Sequence, residues 1–342
     1  MSLSRRKFLT TATVSTTAGL VLGAPSIARA QSDERFNWRM TNAYGPGSPF
    51  YVEGPGSPTD VIAKINAMSG GRLNIQHFAA GELIPAFEGF EAVQSGTIEM
   101  NAANSYFWSG TTFAAQYFTT VPFGMSFMGH MAWLYHGGGL ELWHEVYEPY
   151  GMVAFPLNNT GVQMTGWFRE PIEDVSQLNG LDARVLPGGE IFPALERGVI
   201  DAAEFVGPFQ DRRMGLHNAA KFYHTTGWHE PSTTGELLIS KTHWDSLPED
   251  LQMIVKTACM AACLESVTWS EAVNGEAMTD LIENEGVTAS MLPEPVIAAL
   301  REATQDTLTS EANADPLVRK VHDSYMAFKA NHDRWAGASE RA

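Results

Sequence analysis

The chain has 342 residues, 44% of them hydrophobic, and its 39 acidic residues against 22 basic ones give a formal net charge of −17 at pH 7. That acidity argues against a nucleic-acid partner and against docking on an anionic membrane, but leaves open recognition of a small anion by local donors. The length suits two hydrophobic cores, and the two cysteines, Cys259 and Cys263, make neither a disulfide framework nor a zinc signature.

Residues 1–30 read as an export signal. Arg5-Arg6 precedes Lys7-Phe8-Leu9, a mildly apolar stretch runs to Gly23, and Ala28-Arg29-Ala30 supplies a small-x-small cleavage pattern. The apolar run is too short for a transmembrane helix. A twin-arginine signal of this kind places the mature chain, from Gln31, in a periplasm. Losing Arg5, Arg6, Lys7 and Arg29 takes the formal charge from −17 to −21.

Phe36–Thr41 reads as a first strand, followed by Gly-Pro-Gly-Ser-Pro at 45–49 and again at 54–58. Val61, Ile62, Ile65 and Met68 carry helical spacing up to Gly70-Gly71, and residues 73–78 alternate as a strand does. This βαβ opening predicts an α/β protein. Residues 92–101 and 194–203 share one pattern of helix end, glycine and apolar strand start, which favours two lobes of similar construction.

Leu178–Arg184 predicts a strand ending in arginine, before Pro187-Gly188-Gly189 and a helix; Asp201–Pro208 predicts another, ending in Glu204. Ser246-Leu-Pro-Glu249 forms a capping-box sequence for a long helix that keeps one apolar face to about Glu285. At about 55 Å such a helix either spans two lobes or kinks near Gly275. On it, Cys259 and Cys263 share a face as small buried residues. Helices over 293–310 and 316–335 and a frayed polar tail complete the chain.

Catalytic patterns are incomplete. His136-Gly-Gly-Gly139 has no Gly-x-Ser-x-Gly partner, His144-Glu145 lacks the second histidine of a helical zinc site, and the ten histidines have no ligand spacing. No catalytic residue is assigned, and the chain reads as a binding protein rather than an enzyme. Gln163, Glu204 and Glu230 are hard-oxygen donors of the kind Na+ or Ca2+ prefers, and Arg184 is suited to grip a carboxylate. A solvated surface charge is the competing reading for each alone.

Met68-Ser-Gly-Gly-Arg-Leu73, Ala80-Gly-Glu-Leu83, Val121-Pro-Phe-Gly124, Gly166-Trp-Phe-Arg169 and above all Gly198-Val-Ile-Asp-Ala-Ala-Glu204 carry a family resemblance. The chain resembles the DctP-type solute-binding proteins of tripartite ATP-independent periplasmic (TRAP) transporters, in the α-keto acid and lactate subgroup. The resemblance implies a two-lobe, type II-like α/β periplasmic binding fold with a long helix bracing both lobes. It divides the chain into lobe I at 31–155, lobe II at 156–240, and bracing and C-terminal helices with a return strand at 241–342.

For the site, the resemblance implies Arg184 as the substrate-carboxylate clamp. Gln163, Glu204, the Phe205 carbonyl and Glu230 would be ligands of Na+ or Ca2+ bridging protein and substrate. Asn104 and Tyr106 would be first-lobe contacts, and Trp108 a cleft wall; Phe205 stands where a tryptophan is common. No organic cofactor is implied. The expected partners are a small carboxylate and the permease subunits, with a homodimer by C-terminal helix exchange left open. One departure is that Val185-Leu-Pro187 alone joins the arginine to the next helix, so that lobe II lacks one βα unit. The competing functions are an exported α/β enzyme with Glu204 or Glu230 as base, and a non-transporting paralogue with an impaired second lobe.

Overall fold

A computed structural model describes residues 34–179, 184–225 and 227–339. The export signal read at 1–30, and Leu181–Ala183 of the arginine-bearing stretch, lie outside them. Arg35–Ala342 forms one compact unit.

The expected βαβ opening forms. β1 (Phe36–Asn42) and β2 (Leu73–Phe78) pair in parallel, linked by α1 (Pro58–Met68). Ser57 caps α1, accepting from the Asp60 amide, and Pro58 stands at the first helical position, where a missing N–H costs nothing. After α2 (Gly89–Gln94) comes β3 (Met100–Ala103), parallel to β1. Then follow α3 (Phe127–His136), a turn at the glycines, α4 (Gly139–Tyr147) and β4 (Met152–Asn159).

The chain next builds a smaller unit. It comprises β5 (Gly166–Phe168), α5 (Gly188–Glu196), β6 (Ala202–Ala203), α6 (Pro208–Met214), α7 (Leu216–Ala219) and β7 (Phe222–His224). It returns through β8 (Thr234–Ser240) and α8 (Lys241–Ser246) to α9 (Glu249–Glu283). β9 (Thr288–Ser290), α10 (Glu294–Ala314) and α11 (Pro316–Ser339) complete it.

Among the described residues the strands form two sheets, ordered β2-β1-β3-β8-β4 and β6-β5-β7-β9. β8 runs antiparallel between β3 and β4, so residues 234–240, expected with lobe II, hydrogen-bond in the first sheet. Every residue of β4 and β8 is buried, because helices cover both faces of the first sheet. The second sheet is made of strands of two or three residues. The echo seen in the sequence is structural: α2 and α5 each end before a glycine, Gly96 and Gly198, with φ of 72° leading toward a strand.

α9 serves both cores. Leu251, Val255, Ala258, Cys259 and Ala262 pack with Trp38, Met40 and Ile239 under the first sheet. Leu281, five turns on, packs with Trp167 and Tyr223 under the second. Length and apolar content alone would suit a membrane span, but contact with two protein cores accounts for both. The middle of the helix is polar. Ser266 Oγ accepts from the Asn159 amide at 2.8 Å, and Ser270 Oγ donates to the Thr160 carbonyl at 2.7 Å, where the chain leaves the first sheet.

Three expectations are corrected, and the alternatives for the long helix are decided. Ser246 does not cap α9: it ends α8, its hydroxyl bonded back to the His243 carbonyl at 2.6 Å, and Pro248 precedes the helix. α9 is continuous through Gly275, and ends at Glu283. The C-terminal residues through Ser339 are helical rather than frayed. Val175–Leu178 is a 3-10 turn and 184–187 has no regular structure, so the described part of 178–184 holds no strand.

Candidate functional site

Two groups of side chains meet between the sheets. From the first come Tyr44, just past β1, Tyr51 in the following loop, and Asn104 and Tyr106 past β3. Strand ends suit a site because side chains there leave the ladder while the sheet still holds their backbone. Tyr44 and Tyr51 stack with ring centres 3.7 Å apart, and the Tyr44 hydroxyl donates to Asn104 Oδ1 at 2.7 Å. From the second come Gln163, Glu204, Phe205, His229 and Glu230. The Gln163 amide donates to the Glu230 carbonyl at 2.9 Å, joining two of these loops, and its side-chain Nε2 donates to Thr160 Oγ1 at 3.2 Å.

The electrostatics show that the groups face one another. Burial raises the Tyr106 hydroxyl well above its ordinary value, and the nearby Glu230, Tyr51 and Glu204 push the same way. Tyr44 and Tyr51 are likewise raised, by burial first and then by neighbouring tyrosine and glutamate. All three phenols are therefore neutral donors at ordinary pH.

Glu204, His229 and Glu230 each place a ligand atom within 4.8 Å of the others. Glu230 is pushed up to about 7, by burial and then by Glu204; His229 and a hydrogen bond from Thr233 oppose the rise. Glu204 is raised well above the carboxylate range by burial and by Asp211. About a third of the Glu204 side chain, 32%, has exposed surface. Its Oε1, however, is buried and finds no hydrogen-bond partner among the described residues. Two carboxylates held together at this cost fit a cation, and the donor set of carboxylate, amide and backbone oxygens is that of a hard one.

Asp211 holds the turn that presents Glu204. Its Oδ1 accepts from the amides of Val206 and Gly207, both at 3.1 Å; its Oδ2 accepts from Trp167 Nε1 at 2.9 Å and the Tyr223 hydroxyl at 2.8 Å. The Phe205 ring lies 6.2 Å from that of Tyr51, closing one side. Loop 227–230 is tied to the first lobe: the Phe123 amide donates to the Trp228 carbonyl at 2.6 Å, and Arg301 lies 4.1 Å above the Phe123 ring.

The structure thus brings together Gln163, Glu204, Phe205, Glu230, Asn104 and Tyr106. It turns Trp108 inward instead of along the cleft. The indole is 4% exposed, and its N–H reaches Glu236 Oε1 at 2.9 Å, satisfying a donor that burial would otherwise strand. Arg184 stands on an exposed stretch before α5, next to residues outside the description. That stretch ends at Gly188, where a Cβ would lie 3.3 Å from the Phe205 ring, so it abuts the site. Sequence reasoning missed Tyr44 and Tyr51, and gave His229 no role although it precedes Glu230; a position just beyond a strand was the available signal for Tyr44. A separate surface depression of about 550 Å3 beside Trp269 contains Lys64, whose ammonium is already engaged by both Asp60 and Glu265.

The family model for bacterial extracellular solute-binding protein, family 7, matches residues 60–188 and 182–314. The chain belongs to that family. The two matches overlap at 182–188. It is 36% identical over 360 aligned positions to a monocarboxylate 2-oxoacid-binding periplasmic protein of Nostoc sp., covering 99% of this chain and 97% of the relative. A TRAP periplasmic solute binding protein from Pseudoalteromonas atlantica, with bound sodium and pyruvate, superposes with a TM-score of 0.85 at 36% identity. One from Colwellia psychrerythraea, with bound calcium and pyruvate, does so with 0.85 at 34%. Each comparison covers 90% of this chain and 98% of the other.

Proposed function

We propose that the chain is the extracytoplasmic receptor of a TRAP transporter, binding a small 2-oxo or 2-hydroxy monocarboxylate together with Na+ or Ca2+ and presenting it to the membrane permease. The observation that carries this reading is the Glu204–Glu230 pair, with Glu204 Oε1 buried and without a hydrogen-bond partner among the described residues. Glu204, Glu230, Gln163 and the Phe205 carbonyl would hold the cation. It would offset the two carboxylate charges and attract a substrate carboxylate with its adjacent 2-oxygen.

Tyr106 and Asn104 would contact the substrate from the first lobe. Arg184, four residues ahead of the Gly188–Phe205 contact, would grip the carboxylate on closure. Trp108, turned toward Glu236, would stand behind the site rather than touch the ligand. The twin-arginine reading of residues 1–30 supports delivery to a periplasm. No organic cofactor enters. α11 packs on its own chain, with the Tyr325 hydroxyl accepting from the Met125 amide at 2.8 Å. A helix-exchanged dimer would make this contact between copies, and sizing chromatography reads that out.

Calorimetry with pyruvate, 2-oxobutyrate and lactate, with and without Na+ or Ca2+, tests the reading. Binding that depends on the cation is expected, and Arg184→Ala should weaken it about 100-fold or more, in keeping with loss of a charge-assisted bidentate pair. No heat with any of the three acids would sink the substrate class; an unchanged affinity in the variant would sink the clamp. The short strands of the second sheet favour one second reading, a paralogue that folds without transporting. It predicts no ligand-induced rise in melting temperature.

A further inference from the structure

We propose that His229 is a further ligand of this cation site, and that it lets the site take a borderline divalent ion of the Zn2+ type as well as a hard cation. The inference rests on the cation-site reading above and adds a nitrogen donor to it. His229 Nε2 lies 3.7 Å from Glu204 Oε1. Ligand atoms about 2.1 Å from one tetrahedral Zn2+ stand roughly 3.4 Å from each other, so the two atoms are close to sharing an ion.

The imidazole is available for it. Both ring nitrogens of His229 are buried and have no hydrogen-bond partner among the described residues. His224, at the end of β7, differs in that both its ring nitrogens are engaged. Its Nε2 accepts from the Ile172 amide at 3.0 Å and its Nδ1 meets Ser290 Oγ at 3.3 Å.

The surroundings also hold the His229 ring in place. Trp228 packs against it with ring centres 5.5 Å apart. Its backbone is fixed between the Trp228 carbonyl, which accepts from Phe123, and the Glu230 carbonyl, which accepts from Gln163. Glu230 keeps one oxygen on Thr233 Oγ1 at 2.5 Å, which orients its carboxylate. Two carboxylates and one imidazole on fixed loops are a common donor set for Zn2+ or Co2+, whereas Na+ and Ca2+ take oxygen alone.

The test titrates chelator-treated mature protein with Zn2+ and, separately, with Ca2+ by calorimetry, in the wild type and in His229→Gln. Co2+ is followed by its visible absorption, which reports a nitrogen ligand directly. One Zn2+ per chain is expected, competed by excess Ca2+. The Zn2+-to-Ca2+ affinity ratio should fall about tenfold or more in His229→Gln, at least what a metal site loses with an outer-shell partner, and the Co2+ band should change. An unchanged ratio with an unchanged Co2+ spectrum overturns the inference while leaving the hard-cation reading intact. Absence of Ca2+ binding in the wild type, with Zn2+ binding still sensitive to His229, supports the histidine ligand and overturns the hard-cation reading instead.

Discussion

Glu236 shows at the residue scale how this protein handles buried charge away from its ligands. The side chain is fully buried on β8; Oε1 accepts from Trp108 and Oε2 from the Tyr147 hydroxyl at 2.7 Å. Burial pushes its pKa up to about 7, against the lowering effect of those hydrogen bonds. The folded state therefore holds the proton more tightly than the unfolded chain, where a glutamate titrates near 4.5. The stability it contributes is fully present below about pH 4.5 and is lost as the pH rises through about 7. The loss is on the order of 3 kcal/mol at most. Glu236→Gln should flatten the fall in melting temperature between pH 5 and 8. Parallel melting curves for variant and wild type would show that the carboxylate does not titrate there.

At the scale of elements, α9 determines how closely the rest of the chain can approach. Gly56 has φ of 70°, and a Cβ there would lie 2.4 Å from the Ala262 carbonyl oxygen and 2.7 Å from the Ser266 nitrogen, both backbone atoms of the helix. Gly70 has φ of 61° and open space around it. The two positions separate backbone strain from steric exclusion. Gly70→Ala should cost about 1 kcal/mol, the left-handed conformation alone. Gly56→Ala should cost about 3 kcal/mol or more, because a helix backbone cannot move aside cheaply. Denaturant unfolding measures both, and equal costs would mean that the approach of the 54–58 loop to α9 is not a constraint. The repeat of Gly-Pro-Gly-Ser-Pro was legible in the sequence, but nothing in it indicated that only the second copy lies against a helix.

Across the whole molecule the two cores are unequal. The first has a five-stranded sheet with three fully buried strands; the second has four strands of two or three residues, and owes much of its order to the Trp167–Tyr223 stack at 4.0 Å and to Asp211. Few ladder bonds mean that local opening there costs little. Hydrogen exchange should be faster in β6 and β7 than in β4 and β8. Ca2+ with pyruvate should slow amides of 204–207 and 227–230 about tenfold or more, and leave β4 and β8 unaltered. Uniform slowing throughout, or none, would contradict a site that closes between two lobes.

The sequence by itself determined the elements and the chemistry on offer. Periodicity placed β1, α1, β2 and the long helix to within a few residues, since each has a buried face repeating at its own period. Hard-oxygen donors and an arginine at expected strand ends marked Gln163, Arg184, Glu204 and Glu230 as candidates. Local pattern failed where a residue's partner is distant in the chain. Ser246 spells a capping box, yet its hydroxyl returns to the helix before it. Trp108 suits a cleft wall, but a buried carboxylate 128 residues away turns it inward. β8 follows lobe II in order, but pairs with β3 and β4. Only the tertiary structure decided that Tyr44 and Tyr51 face the glutamates, and that the His229 ring nitrogens have no hydrogen-bond partner among the described residues. Those are facts about which surfaces meet, and burial by a distant segment leaves no periodicity in the chain it covers.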